Sequence, residues 1–375
     1  MRNILLIAGT RPEAIKIAPI ALEAAERDGI KCLIVDTGQH KDLLGPALGA
    51  FGLQSQIRLD LKRSTGTLSE LASRLFASFE KTFSDHETDA VIVQGDTLSV
   101  GVAAQAAFLM QLSVFHVEAG LRSHDLENPF PEEGIRRIIS QVATRHYCPT
   151  NLARENLLTE GIEDNKILVT GNTIVDSVRL LANTSDKIEF RDIEGLKDLP
   201  RETDGFTILV TCHRRENLGD PLRRIMRAIE TIHSEIKEAQ IIFPLHPNPK
   251  VRLFVEERLN HLDRVYLTPP LPYLQMLKII KNTQVILTDS GGIQEEAPSF
   301  GPDLLILRKN TERPEVLNYP LAKLIGTKTD DIVNAVFESF SRRRLGVISK
   351  TIVNPFGDGF ASKYILDDLE DFFRA

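Results

Sequence analysis

Cysteine is scarce: the 375 residues hold only Cys32, Cys148 and Cys212, far apart and with no Cys-x-x-Cys pair. A disulfide framework or a structural zinc site is therefore not expected, and a reducing compartment is the simple reading. Long apolar runs are missing as well, none approaching the roughly 18 residues of a membrane span. The N-terminal run Ile4–Ala8 is short and breaks at a turn, unlike a secretion signal. A cytoplasmic protein with no membrane partner is expected. Excess positive charge is also absent. A net charge of −7 argues against a general nucleic-acid binder, though it leaves room for a local basic pocket.

Several catalytic signatures are missing too. The chain has no Gly-x-Gly-x-x-Gly, no Walker motif, no Gly-x-Ser-x-Gly elbow and no His-x-His or His-Glu-x-x-His pair. A usual NAD site, a P-loop ATPase and a serine hydrolase are disfavoured. His40, His116, His213 and His246 are scattered, so neither a metal nor a cofactor is expected.

What is present is an ordinary globular composition, 42% hydrophobic and 26% charged, in a chain long enough for two domains. Short apolar runs alternate with helical patterns in both halves, predicting an α/β fold of two layers facing a cleft. Expected strands include Ile4–Ala8, Cys32–Asp36, Ala90–Val93 and Ser113–Val117, then Thr207–Val210, Gln240–Phe243, Val265–Leu267, Val285–Leu287 and Leu304–Leu307. Thr67-Leu68-Ser69-Glu70 reads as a capping box. Asp186–Asp204 lacks periodicity and reads as a connection.

Each expected strand ends in a polar cluster, as ligand residues do along one edge of a doubly wound sheet. Asp289-Ser290-Gly291-Gly292 follows a strand and opens a helix, a geometry suited to a diphosphate. Glu295 and Glu296, placed in that helix's first turn, suggest a ligand that also carries hydroxyls. Taken alone, Ser-Gly-Gly is more often a plain tight turn. Asp96, Glu118 and Glu132 fall at strand ends or helix starts in the first half. Singly each is commonly a cap or a solvated acid, whereas together on one edge they could perform acid/base work. Arg11, Lys16 and His213 offer cationic or polar contacts for a phosphate. Arg136 and Arg137 read as ordinary dipole partners of the acids opening their helix.

Read together, Gly9–Lys16, Thr37-Gly38-Gln39-His40, Gly95-Asp96-Thr97, His116–Arg122, Pro129–Glu133, Thr170–Thr173, His213–Asn217, His246–Pro249, Thr288–Gly301, Thr311–Glu315 and Asn354–Gly359 closely resemble the non-hydrolysing UDP-N-acetylglucosamine 2-epimerases. The resemblance spans nearly the whole chain. It implies two Rossmann-like domains facing a cleft (GT-B-like): residues 1–172, with 355–375 crossing back to them, and residues 173–354, which bind UDP. It also implies a homodimer acting on a UDP-sugar for surface-polysaccharide precursor synthesis. Inversion at C2 would proceed through elimination of UDP to a glycal and its re-addition. The implied roles are acid/base or leaving-group chemistry for Asp96, Glu118, Glu132 and His213. UDP-sugar contacts are implied for Arg11, Lys16, Ser290, Gly291, Gly292, Glu296 and Arg313, with Glu296 on the ribose. Lys41–Pro46 lacks the second glutamine of members regulated by another UDP-sugar, so such regulation is not expected. A hydrolysing epimerase, an enzyme for another UDP-2-acetamido sugar and a silent UDP-sugar-binding protein are the competing readings.

Overall fold

A computed structural model of the protein describes residues 1–39, 44–200, 205–212, 214–246, 248–346 and 353–374. It divides into one unit of Met1–Leu180 with Phe356–Ala375 and a second of Leu181–Pro355. Among the described residues no helix is long and apolar enough to cross a membrane.

The first unit is built on a parallel sheet of β1 (Arg2–Ala8), β2 (Ile30–Asp36), β3 (Ile57–Arg58), β4 (Ala90–Gln94), β5 (Ser113–Val117), β6 (Arg145–Cys148) and β7 (Ile167–Val169). Their order is β3-β2-β1-β4-β5-β6-β7. Ile4–Ala8 and Ala90–Val93 are wholly buried, as central strands covered on both faces must be, so they read as continuous apolar runs. Helices α1 (Arg11–Ala25), α2 (Leu44–Gly49), α3 (Leu68–Asp85), α4 (Leu98–Leu109), α5 (Glu132–Val142), α6 (Asn151–Thr159) and α7 (Thr173–Ser185) connect the strands. The division between the units falls within α7.

The second unit repeats the plan with β8 (Phe206–Thr211), β9 (Ala239–Pro244), β10 (Val265–Thr268), β11 (Val285–Thr288), β12 (Asp303–Ile306) and β13 (Ala322–Leu324). The strand order is β10-β9-β8-β11-β12-β13, again all parallel. Its helices are α8 (Asp220–Glu235), α9 (Pro249–Leu259), α10 (Tyr273–Lys281), α11 (Gly291–Glu296) and α12 (Thr329–Arg344). Each sheet reverses its strand order once, at β1/β4 and at β8/β11. Ligands of open α/β sheets gather outside the carboxyl ends at such switch points.

The last helix, α13 (Ala361–Arg374), belongs to the first unit. Asp176 on α7 anchors its start by accepting the N–H groups of Ala361 (3.1 Å) and Ser362 (2.8 Å) and the Ser362 hydroxyl. At mid-helix Tyr147 donates to Asp368, and near the far end Phe372 packs edge-on against Phe115. Two stretches of the resemblance meet just before this helix. Gly171, at φ +86°, lies so close to Phe356 and Gly357 that a Cβ would stand 3.1 Å from the Phe356 carbonyl. The Asn172 N–H donates to that same carbonyl at 2.7 Å.

One sequence expectation changes in detail. The Thr67 hydroxyl accepts the Glu70 N–H, but the Glu70 carboxylate turns back to the amides of Ser64, Thr65 and Gly66. The cap is therefore one-sided, with the carboxylate tying down the preceding loop. The connection after α7 is packed, with Ile193, Leu196 and Leu199 buried. Gly195 comes so near that a Cβ would meet the Leu267 carbonyl, which places this segment against edge strand β10.

Candidate active site

In the first unit, α1 begins with a full capping box. The Glu13 N–H reaches the Thr10 hydroxyl, and the Glu13 carboxylate returns to the N–H groups of Thr10 (2.9 Å) and Gly9 (2.7 Å). This start fixes Arg11 in the first turn and aims Lys16 inward from the next. Lys16 is buried, its Nζ 2.7 and 2.8 Å from the two carboxylate oxygens of Glu118.

Glu118 follows β5 with φ at +64°. That left-handed backbone is unfavourable for a residue with a Cβ, and such conformations concentrate at functional sites. Gln94, the last residue of β4, donates to Glu118 Oε2, and Asn172 donates to Oε1 at 3.4 Å. Gln94 stands opposite Val117 in the register, so Asp96 and Glu118 leave neighbouring strand ends. Asp96 accepts Arg136 Nε (2.8 Å) and Nη2 (2.6 Å). Arg136 is held in turn by Glu133, which also accepts the Ser123 N–H. Arg136 is thus a specific partner of Asp96, whereas the sequence offered only dipole complementarity. Glu132 opens the same helix, α5, and its Oε2 is buried with no hydrogen-bond partner among the described residues. His116 Nε2 lies 2.9 Å from the Gly95 carbonyl. Burial drives this imidazole down to about 4, against that hydrogen bond, so it supports the Asp96 turn as a neutral ring.

Gln94, Asn172 and Glu13 are participants that residue-by-residue reading passed over. A polar end to an apolar strand marks Gln94. Nothing in the sequence indicates which acid the other two would serve or frame.

In the second unit, β11 delivers Asp289-Ser290-Gly291-Gly292 to the switch point. Asp289 is fully buried and accepts the Arg214 N–H and the Asn217 side-chain amide, both at 2.9 Å. It therefore clamps the turn after β8 to the end of β11. Burial, with Asp289 beside it, pushes the Cys212 thiol well above its ordinary value. The two glycines differ. A Cβ on Gly291 would stand 2.6 Å from Arg313 Nη1, whereas on Gly292 it would meet nothing closer than 4.0 Å. Gly291 makes room for the Arg313 guanidinium, which pairs through Nε with Glu295.

Glu295 and Glu296 do not occupy a first turn. α11 is only 6 residues long, and both acids end it. A 3-10 turn containing Pro298 follows, since proline removes an amide donor and clashes with the preceding helical turn. Asn354 braces this end, donating to the Glu295 carbonyl and the Ser299 hydroxyl. Ser290 is the N-cap of α11 but makes no side-chain capping bond. His213 and His40 lie outside the described residues.

These two constellations coincide with the segments that carry the resemblance, and independent comparisons agree. A family profile described as UDP-N-acetylglucosamine 2-epimerase matches residues 22–370. The UDP-N-acetylglucosamine 2-epimerase of Bacillus subtilis is 37% identical, covering 98% of this chain and 94% of its own. The crystal structure of UDP-GlcNAc 2-epimerase from Neisseria meningitidis bound to UDP-GlcNAc is similar at a TM-score of 0.89 and 34% identity, covering 98% of this chain and 100% of that one. The Methanocaldococcus jannaschii enzyme in complex with UDP-GlcNAc and UDP gives a TM-score of 0.80 at 33% identity, over 99% and 100%. The fold is accordingly α/β and GT-B-like, with two Rossmann-like sheets. By sequence and by structure the chain belongs to the UDP-N-acetylglucosamine 2-epimerase family.

Proposed function

We propose that the protein is a non-hydrolysing epimerase that interconverts UDP-N-acetylglucosamine and UDP-N-acetylmannosamine. The observation carrying this reading is Glu118, a buried acid in a left-handed backbone held at once by Lys16, Gln94 and Asn172. A carboxylate framed by fixed donors at a strand end is suited to proton transfer at one face of a sugar. The related structures bound to UDP-GlcNAc support the ligand class.

In the forward direction a carboxylate removes the C2 proton. The C–H electron pair forms the C1–C2 double bond as the C1–O bond breaks, and UDP leaves with the electron pair of the C1–O bond. For return, the UDP oxygen attacks C1 while an acid protonates C2 on the opposite face. Asp96, Glu118 and Glu132 supply the acid/base groups. Arg11, Lys16 and His213 stabilise the charge that develops on the diphosphate. Ser290, Gly291 and Gly292 hold the diphosphate, Arg313 serves the same nucleotide grip, and Glu296 holds the ribose. The enzyme acts in the cytoplasm as a homodimer and feeds surface-polysaccharide precursors.

The test is incubation with UDP-N-acetylglucosamine in deuterated water, followed by NMR. Deuterium at C2 of a UDP-linked manno product supports the proposal. Free N-acetylmannosamine with UDP would show instead that water captures the glycal, making the enzyme hydrolysing. No exchange with any UDP-2-acetamido sugar would defeat both.

A further inference from the structure

We propose that Glu13 is a positioning residue that fastens the turn bearing Asp96 to the corner bearing Arg11 and Lys16. The inference rests on the acid/base reading of Asp96. Glu13 is 3% exposed, and its two carboxylate oxygens serve different elements. Oε2 accepts the amides of Gly9 and Thr10 at the β1–α1 corner. Oε1 accepts the Thr97 hydroxyl at 2.6 Å, and Thr97 is the next residue after Asp96. A single side chain thus joins the two loops that flank the switch point of the first sheet.

Thr97 supplies a second, independent observation. It is the N-cap of α4, with φ −72° and ψ 160°, yet it makes no side-chain cap bond. Thr10 and Thr67 occupy the same place on α1 and α3, and both accept the capping amide. An N-cap threonine ordinarily satisfies one of the free amides of its helix. Here that hydroxyl is turned away to meet Glu13.

Among the described residues, the neighbouring contacts tie other elements together. Ser99 on α4 donates to Gln39 and lies 3.3 Å from Thr37, holding α4 to the end of β2. The charged groups on surrounding elements have other partners: Lys16 holds Glu118, Asp36 accepts the Gly38 N–H, and Asp96 holds Arg136. Arg11 shares α1 with Glu13. Among the described residues, the hydrogen bonds to the Glu13 carboxylate come from uncharged donors: the Gly9 and Thr10 amides and the Thr97 hydroxyl. Burial raises its carboxyl to about 7, opposed by those hydrogen bonds. A glutamine can reproduce the pattern, its carbonyl accepting both amides and its NH2 donating to Thr97.

The test compares Glu13→Ala, Glu13→Gln and Thr97→Val with the wild type. It reads kcat, KM, UDP affinity and amide exchange over residues 96–101. Misplacing a reacting group by about 1 Å can cost about a hundredfold in rate. Glu13→Ala and Thr97→Val are expected to lose kcat on that scale, keep UDP affinity, and lose exchange protection over 96–101. Glu13→Gln is expected to keep kcat and protection while flattening any limb of the pH profile near 7. Unchanged kcat and exchange in a folded Glu13→Ala or Thr97→Val protein would overturn the proposal. If Glu13→Ala does not fold, Thr97→Val decides by the same readouts. A wild type that gives no C2 exchange would defeat the epimerase reading, and with it the kinetic role of Glu13. The exchange data would still decide whether Glu13 fastens the turn.

Discussion

Lys16 Nζ lies 2.7 Å from one carboxylate oxygen of Glu118 and 2.8 Å from the other, with both side chains more than nine-tenths buried. The residues come from α1 and from the end of β5, 102 positions apart. Removing one partner of a buried pair strands the other charge, which typically destabilises by about 3–5 kcal/mol. Lys16→Met is expected to fall in that range by urea unfolding of the first unit. The double variant with Glu118→Gln is expected to recover part of the loss, because no charge is left stranded. Strictly additive losses would mean that the pair is not energetically coupled.

Turnover is expected to depend on the acids at the first sheet edge. Glu118→Gln and Asp96→Asn should each lower kcat by roughly a hundredfold or more, the usual contribution of a positioned acid or base. UDP binding should survive in both, measured by calorimetry. Near-normal turnover in both variants would remove them from the mechanism.

The two adjacent glycines should separate in their effects. A methyl group at Gly291 collides with the Arg313 guanidinium, whereas one at Gly292 meets only ordinary contacts at 4.0 Å. Gly291→Ala is expected to weaken UDP binding and to lower the melting temperature, because Arg313 must leave its seat by Glu295. Gly292→Ala should weaken UDP binding with little change in melting. Equal melting temperatures would contradict the steric account.

Glu13 carries a pH signature. Its folded-state value, raised to about 7 by burial, exceeds the roughly 4.3 of an unfolded glutamate. Between those values the folded chain binds the proton more tightly, so stability falls as pH rises through that window. The full span corresponds to about 4 kcal/mol. Urea midpoints of the wild type should therefore drop relative to Glu13→Gln between pH 4.5 and 7. Parallel curves would show that Glu13 titrates normally.

Asp176 should govern the C-terminal helix. Asp176→Ala leaves the Ala361 and Ser362 amides at the start of α13 without their acceptor, a loss of about 2 kcal/mol by analogy with removed caps. Limited proteolysis is expected to cut within residues 356–374 of the variant and spare the wild type. Equal resistance would place the anchor elsewhere, at Tyr147–Asp368 or the Phe115–Phe372 contact.

Much of this protein is legible in its sequence because its signals are local. An apolar run that breaks at glycine reads as a central strand, and Ile4–Ala8, Ser113–Val117 and Val285–Leu287 are strands in the structure. Short edge strands such as Ile57–Arg58 and Ala322–Leu324 carry no such run, since pairing rather than hydrophobicity defines them. The Ser-Gly-Gly stretch was readable as a strand-to-helix turn, but α11 is too short to place Glu295 and Glu296 as the pattern suggested.

By itself the sequence determined the α/β alternation, the family and the residue types that gather at strand ends. Periodicity, turn chemistry and motif order are all properties of neighbouring residues. Only the tertiary structure decided which acid has which partner: Glu118 with Lys16, Gln94 and Asn172; Asp96 with Arg136; Glu13 with Thr97. Those pairings depend on strand order and register, which bring together residues from separate elements of the chain. Glu118 needed more than register. Its left-handed backbone is unfavourable for its own residue type, and the donors around the carboxylate are supplied by the rest of the fold.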